Sequence, residues 1–129
     1  MKTLLTSLIF ALFISLTANA QMDTKVNAVV NRADWCPACE KNGERAMTTL
    51  MEHNKNKAVR FIVNDLTDKA TKAESAKKLQ MAGLEQVMSS FKATGMVYFF
   101  DAKTKKLIDK ISVVKSNSEL AKTLENAKK

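Results

Sequence analysis

Four short apolar runs, each bounded by polar residues, predict β-strands along this chain. Their content of β-branched and aromatic residues over a few consecutive positions is typical of strands. The runs are Val26–Asn31, Ala58–Asn64, Met96–Phe100 and Leu107–Val114. Only a polar turn at 101–106 separates the last two runs. We therefore expect the third and fourth strands to form a hairpin.

Three other stretches have the spacing, composition or end signals of helices. They are Pro37–Asn54, residues 68–92, and a last helix that ends near Ala127. Pro37 suits the first turn of its helix, because a backbone N–H at that position would have no partner. Gly83 is a point at which the second stretch can divide into two helices. Ser116 and Glu119 form a capping box that opens the last helix.

The order of these elements, β-α-β-α-β-β-α, predicts the fold class. The first two strands flank a helix, which favours a parallel pair joined by a right-handed crossover. The last two strands form an antiparallel pair. The sequence therefore predicts an α/β fold with a mixed central sheet of about four strands and helices on both faces.

Composition and charge exclude several classes of protein. The 129 residues suffice for one domain, and three Gly and one Pro exclude collagen-like and Pro/Gly-rich disordered chains. One His and two Cys exclude a multi-histidine or four-cysteine metal site within one chain. The formal charge of +8 lies on lysine clusters that we interpret as solvated faces. Without interleaved aromatic or Arg residues, these clusters predict no nucleic-acid partner.

Residues 1–20, MKTLLTSLIFALFISLTANA, have the pattern of a signal peptide for export. Lys2 supplies the positive start, Leu4–Leu16 the apolar segment, and the final Ala-Asn-Ala the cleavage pattern. The alternative is a retained membrane anchor, but an apolar run of about 13 residues is shorter than the roughly 20 that span a bilayer. We predict cleavage after Ala20, a mature domain of residues 21–129 with no stable membrane span, and a periplasmic or otherwise extracytoplasmic location.

The candidate chemistry lies in two cysteines three residues apart, Cys36 and Cys39, where the first strand gives way to the helix that begins at Pro37. Side chains at i and i+3 share a helix face, and Cα atoms about 5 Å apart can carry a disulfide. The unpaired N–H groups of a helix N-terminus favour the thiolate, which is the nucleophilic form. Because Cys36 lies nearer the start of the helix, we predict that it is the more exposed cysteine and the one that attacks. We predict that Cys39 then resolves the mixed disulfide.

Three other uses of the cysteine pair compete with this prediction. A structural disulfide that closes so short a loop contributes only about 2 kcal/mol, against about 3 for a fifteen-residue loop. A soft ion such as Cu or Zn can bind two thiolates, but His53 lies roughly 20 Å along the helix, where we expect a solvated polar residue. Haem attachment requires His directly after the second cysteine, and Glu40 stands there. We predict no cofactor and no metal, and soft-metal binding is kept as an alternative.

The run ADWCPAC at residues 33–39 resembles the A-x-W-C-x-x-C signature of the thioredoxin superfamily. The order of predicted elements resembles that fold over essentially the whole of residues 21–129. The resemblance implies an exported thiol–disulfide oxidoreductase in which Cys36 forms a mixed disulfide with a protein substrate and Cys39 resolves it. It also implies protein thiols and disulfides as substrates and an extracytoplasmic redox partner. We expect the protein to be a monomer.

The chain departs from this family at the loop before the third strand. Members usually carry a cis-proline there, facing the cysteines and guiding the substrate backbone. Pro37 is the only proline here, and Gly95 stands at the matching position. We predict a substrate-binding rim made of Trp35, Pro37, Gly95 and Met96. The resemblance implies that Trp35 shields the cysteines; ordinary packing of Trp35, and an ordinary turn at Thr94-Gly95, are the alternatives.

Two groups that handle protons in many members are also replaced. The buried acid six residues before the first cysteine is Val30 in this chain, and the lysine of the following strand is matched by Phe61. The cysteine pair itself is intact. These departures support a second hypothesis, in which the chain is a binding module that keeps the fold and has little turnover.

Overall fold

The computed structural model describes residues 24–129, so the signal peptide predicted at residues 1–20 lies outside the described part. The strands are β1 (Val26–Arg32), β2 (Val59–Asp65), β3 (Met96–Asp101) and β4 (Leu107–Ser112). They form a sheet in the order β2-β1-β3-β4, with β1 and β2 parallel and the other neighbours antiparallel. The predicted mixed sheet and its β3–β4 hairpin are confirmed.

Helices cover both faces of this sheet. They are α1 (Pro37–Glu52), α2 (Lys69–Met81), α3 (Glu85–Met88) and α4 (Asn117–Ala127). Gly83, with a φ of 71°, separates α2 from α3 as predicted. The predicted capping box is present, since the N–H of Glu119 donates to Ser116 Oγ at 3.2 Å and the N–H of Ser116 donates to Glu119 Oε2 at 3.1 Å. Within residues 24–129, no helix is long and apolar enough to cross a bilayer.

Each face of the sheet buries its own apolar cluster. Val30 of β1 and Leu50 of α1 belong to the cluster on the α1 and α4 face. Val29 of β1 and Leu79 of α2 belong to the cluster on the α2 and α3 face. This burial on both sides explains why β1 is a nearly continuous apolar run in the sequence.

Two elements end earlier than the sequence pattern predicts. Helix α1 stops at Glu52 and strand β4 at Ser112. After β4 the chain turns, with the N–H of Lys115 donating to the Ser112 carbonyl at 3.1 Å. The apolar pattern continues past Ser112 because Val113 is buried against the core, although it lies outside the strand.

One edge of the sheet brings together the segments around the cysteines. Strands β1 and β2 end there, and the antiparallel β3 begins there. Asn31 near the end of β1 is in register with Met96, and Met96 is in register with Ser112 at the end of β4. Helix α1 starts just beyond β1, so its N-terminus lies at this same edge.

Candidate active site

Cys36 and Cys39 form a disulfide at the start of α1, with their Cα atoms 5.3 Å apart. Cys36 is the N-cap residue and has an extended backbone, with φ of −90° and ψ of 109°. The backbone N–H of Cys39 donates to Cys36 Sγ at 3.2 Å. The predicted separation and the predicted placement at the helix start are therefore confirmed.

The sulfur of Cys36 has the role that a capping oxygen usually has. The first N–H groups of α1 have no partner inside the helix and carry a partial positive charge. One of them, from Cys39, already points at the Cys36 sulfur. A thiolate at this position gains a charge-assisted hydrogen bond once the disulfide is reduced. The hydrogen bond therefore stabilises a negative charge on the Cys36 sulfur.

Burial reverses one expectation about the two sulfurs. Cys36 is only 3% exposed, whereas Cys39 is partly exposed. The prediction that Cys36 is the more exposed cysteine is therefore wrong. A distant part of the chain lies close to the sulfur, because a Cβ placed on Gly95 would be 3.7 Å from Cys36 Sγ.

Gly95 lies at the position where the sequence predicts the rim of the site, directly before β3. Its φ of 75° is in the left-handed region that side chains disfavour, and a Cβ there would meet Ala38 Cβ at 3.3 Å. Its N–H donates to the Asn31 carbonyl at 2.8 Å, and its carbonyl accepts the N–H of Val113 at 2.9 Å. All peptide bonds of residues 24–129 are trans. Gly95 is thus held close to Cys36 by hydrogen bonds on both sides.

The other predicted rim residues are only partly brought together. Pro37 is exposed next to the disulfide. Trp35 is 62% exposed, and its Nε1–H donates to the Thr67 carbonyl at 3.1 Å, which directs the indole toward the loop before α2. The side chain of Met96 packs against the apolar cluster on the α2 and α3 face. The assignment of Met96 to the substrate-binding rim stays a prediction.

An ionic network fixes the segment between β1 and the cysteines. Arg32 pairs with Asp34 at 2.6 Å and with Asp65 at 2.5 Å. Asp65 also accepts hydrogen bonds from the N–H of Thr67 at 3.0 Å and from its hydroxyl at 2.5 Å. Partial burial opposes the charge of Asp65, but these hydrogen bonds and the Arg32 guanidinium together lower the pKa of that carboxyl below its ordinary value. The carbonyl of the same Thr67 accepts the indole N–H of Trp35, so the network fixes the tryptophan against the loop before α2.

A groove of about 320 Å³ runs beside Cys39. Val30 of β1 and Val63 of β2 line it and are in register with each other. The residue opposite Val30 is therefore Val63, and Phe61, the residue matched to the family's lysine, is in register with Ala28. Neither of the two strand positions beside Cys39 carries an acid or a lysine.

Two buried amides near the site were not singled out from the sequence. Asn31 is 0% exposed and Asn64 is 7% exposed, and they are in register across β1 and β2. Asn64 Nδ2 donates to Asn31 Oδ1 at 2.9 Å. The signal was present in the sequence, because each Asn closes a predominantly apolar run, and a buried amide needs partners.

The described residues offer no further ligands for a metal ion bound by the two cysteines. Between residues 24 and 129 there is no group of three or more His, Cys, Asp or Glu side chains that could hold a metal ion. His53 is the C-cap of α1 and is exposed, as predicted. Its carbonyl accepts a hydrogen bond from Lys128 Nζ at 3.0 Å.

Comparison with known proteins adds information at the level of the fold. No family model and no curated protein matches this chain. Among solved structures it is similar to Trxlp from Edwardsiella tarda EIB202, with 20% identity, a TM-score of 0.52, and coverage of 80% of this chain and 84% of that chain. It is also similar to tryparedoxin I from Leishmania major, with 15% identity, a TM-score of 0.52, and coverage of 81% and 77%.

A third similar structure is thioredoxin (Mala s 13) from Malassezia sympodialis, with 16% identity, a TM-score of 0.50, and coverage of 82% of this chain and 80% of that chain. The chain has a thioredoxin-like fold with a Cys-x-x-Cys pair at the start of α1. The fold resemblance found in the sequence is therefore confirmed.

Proposed function

We propose that this chain is an extracytoplasmic thiol–disulfide oxidoreductase that exchanges disulfides with protein substrates. The observation that carries the proposal is the Cys36–Cys39 disulfide at the N-terminus of α1, with the N–H of Cys39 directed at the Cys36 sulfur. The thioredoxin-like fold supports the same chemistry. The signal pattern of residues 1–20 supports export from the cytoplasm. Outside the cytoplasm, disulfides persist unless they are reduced.

The exchange consists of two successive displacements at sulfur. In the reducing direction, the Cys36 thiolate attacks a substrate disulfide, a Cys36–substrate bond forms, and one substrate sulfur leaves and takes a proton. Cys39 then loses its proton and attacks Cys36, which restores the Cys36–Cys39 disulfide and releases the second substrate thiol. Two electrons and two protons reach the substrate. A dithiol redox partner returns them to the pair, and reversing every step oxidises a substrate instead.

We propose Cys36 as the nucleophile although it is the less exposed sulfur. It receives the helix N–H, and the residue that covers it, Gly95, has no side chain to block an approaching peptide. The proposed substrate contacts are Trp35, Pro37 and Gly95, together with the backbone of Met96. The protein acts as a single chain in this scheme, since both sulfurs come from one helix turn.

The test compares Cys36→Ser and Cys39→Ser in the reduction of insulin by dithiothreitol. Both variants lose turnover, and only Cys39→Ser accumulates a mixed disulfide with the substrate, which mass spectrometry detects. Ser118→Ala, an exposed position on α4, is the control and keeps the turnover of the unmodified protein. Turnover retained in Cys36→Ser would contradict the proposal. If the unmodified protein has no turnover and its Cys36→Ser, Cys39→Ser double variant still binds a partner normally, the chain is instead a binding module.

A further inference from the structure

We propose that Asn31 is a positioning residue that holds the loop of residues 91–95 so that Gly95 stays over the Cys36 sulfur. We further propose that protein disulfides need this loop position and that small disulfides do not. The inference rests on the oxidoreductase function proposed above. It extends that function by assigning the preference for protein substrates to the position of this loop.

The contacts of Asn31 converge on one loop. Its Nδ2 donates to the carbonyl of Phe91 at 2.8 Å and to the carbonyl of Ala93 at 3.2 Å. Its own backbone carbonyl accepts the N–H of Gly95 at 2.8 Å. Asn31 is 0% exposed, so water does not compete for these bonds. A single residue of β1 therefore binds the loop at its beginning, middle and end.

Asn64 determines which way the Asn31 amide points. Asn64 Nδ2 donates to Asn31 Oδ1 at 2.9 Å, so the oxygen faces β2 and both N–H bonds of the amide face the loop. An aspartate at position 31 would offer no donor to the two loop carbonyls. As an amide, Asn31 can accept from Asn64 with its oxygen and donate to both loop carbonyls with its nitrogen.

The loop has few other restraints in its middle. Phe91 is anchored by its ring, which lies 4.9 Å from the ring of Tyr98 between centroids. Lys92 and Ala93 are exposed, and neither belongs to a helix or strand. A proline would fix a backbone dihedral here, but the loop contains none. In this chain the Asn31 side chain supplies the restraint.

The position of this loop matters most for a large substrate. Cys36 is 3% exposed, and its sulfur lies close to Gly95. The backbone that flanks a protein disulfide must therefore pass along Gly95 to bring its sulfur to Cys36. A small disulfide presents little more than its two sulfur atoms. Displacing Gly95 should consequently slow protein substrates and leave small ones nearly unaffected.

The experiment measures kcat and KM of Asn31→Ala and Asn64→Ala with insulin, and with bis(2-hydroxyethyl) disulfide as a small disulfide that has no peptide backbone. Thr49→Val is the matched control, since Thr49 is 6% exposed and its hydroxyl donates only within α1, to the Arg45 carbonyl at 3.0 Å. Amide hydrogen exchange at Gly95 reports the loop directly, whether or not the protein turns over.

We expect Asn31→Ala to lower kcat/KM for insulin roughly ten- to hundredfold, mainly through KM, because a small misplacement of a substrate contact costs this much. The value of kcat/KM for bis(2-hydroxyethyl) disulfide should change by less than about twofold, and amide exchange at Gly95 should accelerate at least tenfold. Asn64→Ala should show the same pattern with smaller changes. Thr49→Val should leave kcat/KM unchanged for both disulfides.

An Asn31→Ala variant that loses kcat/KM equally for both substrates, or that leaves amide exchange at Gly95 unchanged, would overturn the inference. Should Asn31→Ala fail to fold, Asn64→Ala decides by the same two criteria. If the unmodified protein reduces neither disulfide, the proposed function fails, and the exchange measurement still decides whether Asn31 positions the loop. The two failures are therefore distinguishable.

Discussion

Gly95 lies directly against Cys36, although 59 residues separate them in the chain: a Cβ placed on Gly95 would be 3.7 Å from Cys36 Sγ. The contact joins the loop before β3 to the first turn of α1. It explains how a site without a proline in that loop still has a fixed backbone beside its disulfide, because Gly95 is hydrogen-bonded to Asn31 on one side and to Val113 on the other.

Replacement of this glycine should be costly. We expect Gly95→Ala to lower the free energy of unfolding by about 1 to 2 kcal/mol, because its φ of 75° disfavours a side chain and the new Cβ would meet Ala38 at 3.3 Å. Gly43→Ala in α1 is the control, with nothing within 4 Å of its Cβ, and should raise stability by about 1 kcal/mol. Urea unfolding measures both; a Gly95→Ala protein as stable as Gly43→Ala would contradict the contact.

In the reduced protein the two cysteines should react at different rates. The helix N-terminus stabilises a negative charge at Cys36 by about 1 to 2 kcal/mol, which corresponds to roughly tenfold more thiolate. We expect iodoacetamide at pH 7 to label Cys36 about tenfold faster than Cys39, even though Cys39 is more exposed. Peptide mass mapping after short labelling times gives the ratio. Faster labelling of Cys39 would mean that exposure outweighs the hydrogen bond to Cys36.

The ion pair of Asp65 with Arg32 should make stability depend on pH. Because hydrogen bonds and the Arg32 charge lower the pKa of Asp65 in the folded state, its contribution is fully present above the unfolded value near 3.8 and is lost as pH falls through the folded value. We expect Asp65→Asn to lower the free energy of unfolding at pH 7 by about 1 kcal/mol, since the pair is partly exposed.

The difference between Asp65→Asn and the unmodified protein should disappear under strongly acidic conditions. Urea unfolding over a series of pH values checks this, with Asp109→Asn on the exposed side of β4 as the control. A penalty for Asp65→Asn that stays constant as the carboxyl is protonated would show that packing, not charge, is responsible.

The exported protein should begin at Gln21. The A-x-A pattern that ends at Ala20 places the cut there. Intact mass of the protein recovered outside the cytoplasm should lack the first 20 residues, and Ala20→Leu should block this processing. Recovery of the full-length chain, retained in the membrane fraction, would instead favour an anchor.

The sequence by itself determined the elements and the position of the reactive pair. Strands with β-branched runs, the Ser116 capping box and the break at Gly83 are set by neighbours a few residues apart, so local patterns predict them. The spacing of Cys36 and Cys39 on one helix turn also determines their separation. These features depend on short-range geometry that every helix or strand repeats.

Only the tertiary structure decided what surrounds the cysteines. The register of β1 and β2 places Val63 opposite Val30 and Phe61 opposite Ala28, and the register of two strands cannot be read from composition. The burial of Cys36 depends on Gly95, and the role of Asn31 depends on a loop sixty residues away. Such contacts form when the sheet closes and distant segments meet at its edge, so no local pattern in the chain contains them.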